Sequence, residues 1–380
     1  MTLLFFAVII TMNINHDSTI IVASENEETE NVVAENESEV PEKVNENDTG
    51  EIKENNEENP DVKENNTPVS KKITFTILGE MMMGGEVTSS TNYLYNSAYK
   101  NIYTYTRSSD FTYATFSTNI TTLDEIKNAR SKYLVTKGIQ NTFVSLGIDA
   151  VNIASDHMTD YSSTIFNSTL SVIKEANVYI AGLNDSILYL EKNDRKIAIV
   201  AANNVFVGNK YNYTDYGINV YNQTKMKNDI ITAKQNADFV IVDMHWGREY
   251  IYGVTYEMKS IAYSAIDSGA DLVMGTHAYG IYPIITYNDV PIIYSTGYIM
   301  TDSESELTKQ SYIFDILINE ENKIESLEMI PIYIKDKKEV MLYNEYNKDF
   351  AFEFNTQMNN WNKQNALNSE IKNGNIVINF

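Results

Sequence analysis

From residue 73 onward the chain repeats one pattern: a short apolar run, a loop, then an amphipathic stretch with helical spacing. The pattern is clearest late in the chain. Thr224 to Gln235 has the 3.6-residue period of a helix, Phe239-Val240-Ile241-Val242-Asp243-Met244 reads as a buried strand, and Tyr256 to Ser268 is helical again. Leu272-Val273-Met274 and Pro291-Ile292-Ile293-Tyr294 follow as short strands that run into Gly-containing loops. The earlier half repeats the theme. Strands are expected at Ile73 to Leu78, Phe111 to Phe116, Asp149 to Ala154, Val178 to Ala181 and Lys196 to Ala201, with helical spacing over Lys132 to Leu146 and Ser163 to Ala176. Strands and helices that alternate in this way must cover a sheet on its faces, which predicts an α/β domain. Beyond Ser311, two strand-like runs, Tyr312 to Ile318 and Ile324 to Ile334, flank Asn319-Glu320-Glu321-Asn322-Lys323, the signature of a hairpin. The last stretch, 335–380, reads as an amphipathic helix with a tail.

The N-terminal part obeys different rules. Residues 25–64 are crowded with Glu, Asn and Asp and hold no aromatic residue, so they have too little apolar surface to offset the entropy of ordering. Much of the formal net charge of -23 therefore belongs to a linker, 25–71, and not to the fold. No basic stripe is present, which argues against a nucleic-acid partner. Ahead of the linker, Leu3 to Met12 is an apolar run as long as a signal-peptide core and short for a full membrane span. Residues 1–24 are therefore read as a signal peptide or membrane anchor, with Val22-Ala23-Ser24 as a cleavage region and the domain, 72–334, outside the membrane. No Lys or Arg precedes the run.

The chain has no cysteine and only four histidines. Disulfides, thiolate metal sites and a cysteine nucleophile are thereby excluded. Three histidines, His157, His245 and His277, directly follow expected strands, where α/β folds gather their ligand-binding loops. A lone histidine is more often structural than chemical; three at strand ends favour convergence. Imidazole and carboxylate suit Zn, Mn or Fe, and Glu80, Asp156, His245 and His277 supply both ligand types. A metal there would activate water and neutralise developing charge. His157, one residue from a ligand, would protonate the leaving group.

Five segments carry a resemblance: Gly79-Glu80-Met81-Met82-Met83-Gly84, Asp156-His157-Met158-Thr159-Asp160-Tyr161, His245-Trp246-Gly247-Arg248-Glu249-Tyr250, Gly275-Thr276-His277 and Tyr294-Ser295-Thr296-Gly297. In order and position the region from Lys72 to Ile334 resembles the CapA-like family of poly-γ-glutamate capsule synthesis proteins. The His-Trp-Gly-x-Glu-Tyr block is its most specific part, supported by Gly-Ala-Asp-Leu-Val-Met-Gly at 269–275. The resemblance implies a four-layered α/β/β/α sandwich related to calcineurin-like metallophosphoesterases. It implies a surface protein in the synthesis, export or processing of an anionic polymer, with that polymer or a peptide-like polyanion and membrane capsule-synthesis subunits as partners.

The chain also departs from the family pattern. Glu80 stands for an Asp, Ser117 for a Glu, Ser155-Asp156-His157 for Asn-Asn-His, Tyr279 for the second His of His-Pro-His, and Gly297-Tyr298-Ile299 for Gly-Asn-Phe. A carboxylate missing at 117 argues for one ion rather than two. Two readings remain open: a metal-dependent hydrolase, and a degenerate, non-catalytic module that binds or scaffolds during envelope assembly.

Overall fold

The computed structural model describes residues 72–380 apart from 86, 88–94, 123–125, 127–132, 206–212, 250–252 and 279. The apolar run at 3–12, the linker 25–71 and Tyr279 lie outside the described residues. Among those described, no helix is long and apolar enough to cross a membrane.

The chain first lays down β1 (Ile73–Met81), β2 (Phe111–Phe116), β5 (Ala150–Asn152) and β6 (Tyr179–Ala181) as parallel neighbours. A small parallel pair, β3 (Asn119–Thr121) and β4 (Leu134–Thr136), lies between β2 and β5 in sequence. It then builds a separate sheet from β7 (Leu188–Lys192), β8 (Arg195–Asn203), β9 (Phe239–Trp246), β10 (Leu272–His277), β11 (Ile285–Tyr287) and β12 (Val290–Ile293), in the order β11-β12-β10-β9-β8-β7. Finally it returns to the first sheet. There β13 (Tyr298–Met300) pairs parallel to β1, and β14 (Gln310–Ile318), β15 (Ile324–Lys335) and β16 (Glu339–Leu342) add antiparallel. A closing hairpin of β17 (Asn368–Lys372) and β18 (Asn375–Asn379) pairs onto β15.

Side-chain alternation shows how the sheets stack. In β9, Phe239 and Ile241 point into a core shared with Phe75, Ile77, Phe111, Tyr113 and Phe314 of the first sheet. Val240, Val242, Met244 and Trp246 point the other way, against Met226 and Ile230 of one helix (α3, Gln223–Asn236) and Met258, Ile261 and Ala262 of another (α4, Tyr256–Asp267). The outer face of the first sheet is covered likewise, by Phe143 and Leu146 of α1 (Gln140–Leu146) and by Phe166, Val172 and Ile173 of α2 (Ser163–Glu175). The layers are therefore α/β/β/α: the strand–helix alternation predicts the α/β class, and the family resemblance implies the four layers. Burial on both faces also explains why β9 reads as an unbroken apolar run.

Local chemistry sets the element ends. Side chains of Asn222 and Thr255 cap α3 and α4 by accepting from the backbone N–H of Lys225 and Met258. The expected hairpin at 319–323 forms. Asn319 accepts from the N–H of Glu321 and Lys323, and Asn322 takes a left-handed φ of 61°.

Two stretches differ from expectation. Only the second half of Lys132 to Leu146 is α-helical, because Leu134-Val135-Thr136 is drawn into pairing with β3. Tertiary pairing overrides a helical period in so short a run. The segment read as a helix with a tail forms the helix, α5 (Lys348–Gln364), but the rest is the β17–β18 hairpin; Met358 and Leu367 reach the inter-sheet core.

Candidate metal centre

Parallel strands of the two sheets bring their C-terminal ends to one edge of the sandwich. β1 delivers Glu80, the turn after β5 delivers Asp156 and His157, β9 delivers His245, and β10 ends on His277. Glu80, Asp156, His245 and His277 are all buried.

Asp156, His245 and His277 form one group, with a ligand atom from each within 4.8 Å of the others. His245 Nε2 lies 2.9 Å from Asp156 Oδ1, and its Nδ1 lies 2.9 Å from Thr276 Oγ1. Thr276 thereby fixes the ring's orientation from the neighbouring strand, the usual task of a partner behind a metal-ligating imidazole. Asp156 Oδ2 has no hydrogen-bond partner although it is buried, and it lies 3.9 Å from His277 Nδ1 and 3.6 Å from His157 Nε2. A buried carboxylate oxygen left without a donor, facing imidazole nitrogens, is the donor arrangement of a cation site. These residues therefore fit a divalent ion.

His277 reaches the group through its backbone. By alternation along β10, residues 273, 275 and 277 should face α3 and α4, yet the His277 ring sits 4.8 Å from that of His245 on the inner side. Its φ of 78° redirects the side chain. A non-glycine residue in that region is strained, and both of its peptide groups are held: its N–H donates to Glu80 Oε2 at 3.2 Å, and its carbonyl accepts from Tyr298 Oη at 3.3 Å. Glu80 thus stands beside the group and not within it, occupied in part with holding His277 in place. β1 can approach this closely because residue 79 is glycine; a Cβ there would come within 2.5 Å of the Gly297 carbonyl oxygen.

The electrostatics follow from this packing. Burial pushes the Asp156 carboxyl up, but the hydrogen bond from His245 and the nearby charges of His157, His245 and His277 outweigh it and hold it well below the usual range. Burial lowers His245, while Glu80 and Asp156 reverse the sign and leave it raised. Burial, then His245, drives His277 down to about 4, so at neutral pH its ring is uncharged and one ring nitrogen offers a lone pair to a metal. Burial raises Glu80 against the pull of His245.

His157 occupies the edge of the group. Its Nδ1 lies 2.9 Å from Asp160 Oδ2, and the Tyr133 ring covers it at a centroid distance of 4.0 Å. Burial would lower its pKa, but Asp160 and Asp156 raise it to about 9. Because this value exceeds the ordinary 6.5, the protonated pair should stabilise the fold fully below about pH 6.5 and lose that effect as pH rises through about 9. In the metal-free protein an NMR titration of the ring should show a midpoint near 9, returning toward 6.5 in Asp160→Asn. An unmoved midpoint in that variant would remove Asp160 as the cause.

Sequence reasoning assigned no role to Asp243, Asn152, Thr276, Asp160, Tyr133 or Tyr113. Asp243 carried a readable signal: an acid inside a strand buried on both faces, two residues before His245 and so on the same face. Its Oδ2 accepts from Tyr113 Oη and Asn152 Nδ2, each at 2.8 Å. Burial pushes it up to about 6 against those two donors. Ser117 is buried beside Glu80, where its hydroxyl favours the charged carboxylate, yet its Oγ makes no hydrogen bond of sound geometry. Tyr279 lies outside the described residues.

Residues 74–303 match the family model described as bacterial capsule synthesis protein PGA_cap. The chain is 26% identical over 284 residues to the capsule biosynthesis protein CapA of Bacillus anthracis, covering 70% of this chain and 69% of that protein. It is 25% identical over 279 residues to the PGA biosynthesis protein CapA of Bacillus subtilis, covering 70% and 72%. Among solved structures, a phosphatase from Mycoplasma pneumoniae aligns over 69% of this chain and 94% of its own, at 14% identity and a TM-score of 0.44. The layer architecture stands on the two sheets themselves.

Proposed function

Because the chain belongs to the bacterial capsule synthesis protein family PGA_cap, we propose that it acts outside the membrane as a metal-dependent hydrolase processing poly-γ-glutamate or a related anionic capsule polymer. The observation that carries this reading is the convergence of Asp156, His245 and His277 with an unpartnered Asp156 oxygen between imidazole rings. One ion, of the Zn, Mn or Fe type, fits the donor set of two imidazoles and a carboxylate. A cation held there supplies Lewis acidity and a stronger water nucleophile. The chain's own residues do the rest. Asp156, His245 and His277 hold the ion, Thr276 orients His245, and Glu80 holds the His277 backbone. His157 is the proton donor: Asp160 binds its Nδ1, so its Nε2 faces the group and carries the proton to the leaving nitrogen. Export through the segment at 1–24, anchoring there and contact with membrane capsule-synthesis subunits belong to the same proposal.

Ser117 favours a second reading, a non-catalytic binding or scaffold module, since no carboxylate stands there to bridge two ions. The two separate in one experiment. The Zn- or Mn-loaded protein is incubated with poly-γ-glutamate and with a generic phosphodiester, and polymer length is followed by size-exclusion chromatography. Shortening that falls about 10²–10⁴-fold in His157→Ala supports the hydrolase. Phosphodiester cleavage alone would replace the amide substrate, and polymer binding with no turnover of either would put the scaffold reading ahead.

A further inference from the structure

Asp243 sits where the two sheets meet beneath the metal group. Along β9 it continues the inward face of Phe239 and Ile241 and precedes His245 on that same face. Its hydrogen-bond donors come from the opposite sheet, Tyr113 from β2 and Asn152 from β5. Asn152 passes the constraint on: its Oδ1 accepts from the N–H of Ala154 at 2.7 Å, at the start of the turn that carries Asp156. One side chain therefore links the strand that bears His245 to the loop that bears Asp156.

Bracing alone does not require an acid. An asparagine at 243 would accept from the same two donors through its amide oxygen. It would also remove a fully buried negative charge whose second oxygen, Oδ1, finds no donor. Along β9 that charge stands two residues, about 7 Å, from His245 and on the same face of the strand. A carboxylate so placed disfavours the folded chain by itself and becomes favourable beside a cation.

We infer that Asp243 is a positioning residue of the cation site, an outer carboxylate that aligns His245 with Asp156 and lends its charge to the bound ion without ligating it. The inference rests on the metal reading of the Asp156, His245 and His277 group. It is tested on the full chain by calorimetric titration with Zn²⁺ and Mn²⁺, together with thermal unfolding in chelator, for wild type, Asp243→Asn and Tyr113→Phe. Asp243→Asn should melt at or above the wild-type temperature in chelator while its ion affinity falls about 10–100-fold. Tyr113→Phe should move the other way, with a lower melting temperature in chelator, because it removes a donor from a buried charge that remains. A merely structural Asp243 predicts a lower melting temperature and unchanged affinity in Asp243→Asn, and that result overturns the inference while leaving the metal site intact. Wild type that takes up neither ion overturns both.

Discussion

Replacing His245 and His277 together by alanine is expected to abolish ion uptake, the largest functional effect available from two substitutions in this protein. Elemental analysis of the wild-type chain should return about one divalent ion per molecule, and the variant close to none. The reason is coordination number: a site of three protein ligands that loses both imidazoles keeps a single carboxylate, too little to compete with water for a transition metal. Thermal unfolding gives an independent reading. An ion present at 100 times its dissociation constant stabilises the native state by about 2.7 kcal/mol, so the wild-type midpoint should climb with added Zn²⁺ and the variant's should not. Without metal the variant also loses the His245 hydrogen bond to Asp156. A buried charge stripped of its partner costs about 3–5 kcal/mol, so a near-ultraviolet circular dichroism check of folding belongs with the measurement. Metal that is equally near zero in both proteins would sink the hydrolase reading.

Trp246→Ala should be among the most destabilising single substitutions. Trp246 is fully buried on the outer face of β9, its Nε1–H donates to the Tyr294 carbonyl at 3.0 Å, and its ring lies 5.8 Å from that of Tyr294. The indole lies directly against Gly275, where a Cβ would come within 2.1 Å of Nε1. Removing the ring opens a cavity worth about 3–5 kcal/mol. It also leaves a carbonyl without its donor, at about 1–3 kcal/mol. Against a total stability of about 5–15 kcal/mol, urea unfolding should show a large loss of midpoint or no folded protein. Trp246→Phe keeps most of the volume and should recover most of the midpoint. An unaffected midpoint in Trp246→Ala would mean that the outer core does not depend on this residue. The His-Trp-Gly block therefore divides its work: adjacent residues face opposite sides of one strand, His245 toward the metal group and Trp246 toward the helices.

Much of this arrangement is legible in the chain. Period-2 and period-3.6 patterns carry the α/β class, because burial on one face or two leaves its mark residue by residue. The histidines were legible because strand ends are local features and loops collect there. Asp243 stood out locally as an acid within a buried strand, but its role went unread because the partners that hold it lie 130 and 91 residues away. The C-terminal hairpin was missed although its signal is local: Asn373-Gly374, both at positive φ, forms the two-residue turn ahead of the apolar run Ile376-Val377-Ile378.

By itself, then, the sequence determined the kinds of element, the ligand chemistry open to a cysteine-free chain, and the strand ends where that chemistry would lie. Tertiary structure decided which of those residues meet. Asp156 and His245 touch across 89 residues of chain, His277 enters the group only through a left-handed backbone, and Glu80 is drawn aside to hold it. Periodicity records which face of a strand is buried, but neither the neighbouring strand nor a reversal of φ at its last residue. Those follow from packing two sheets against one another, and packing is a property of distances in space rather than of spacing along the chain.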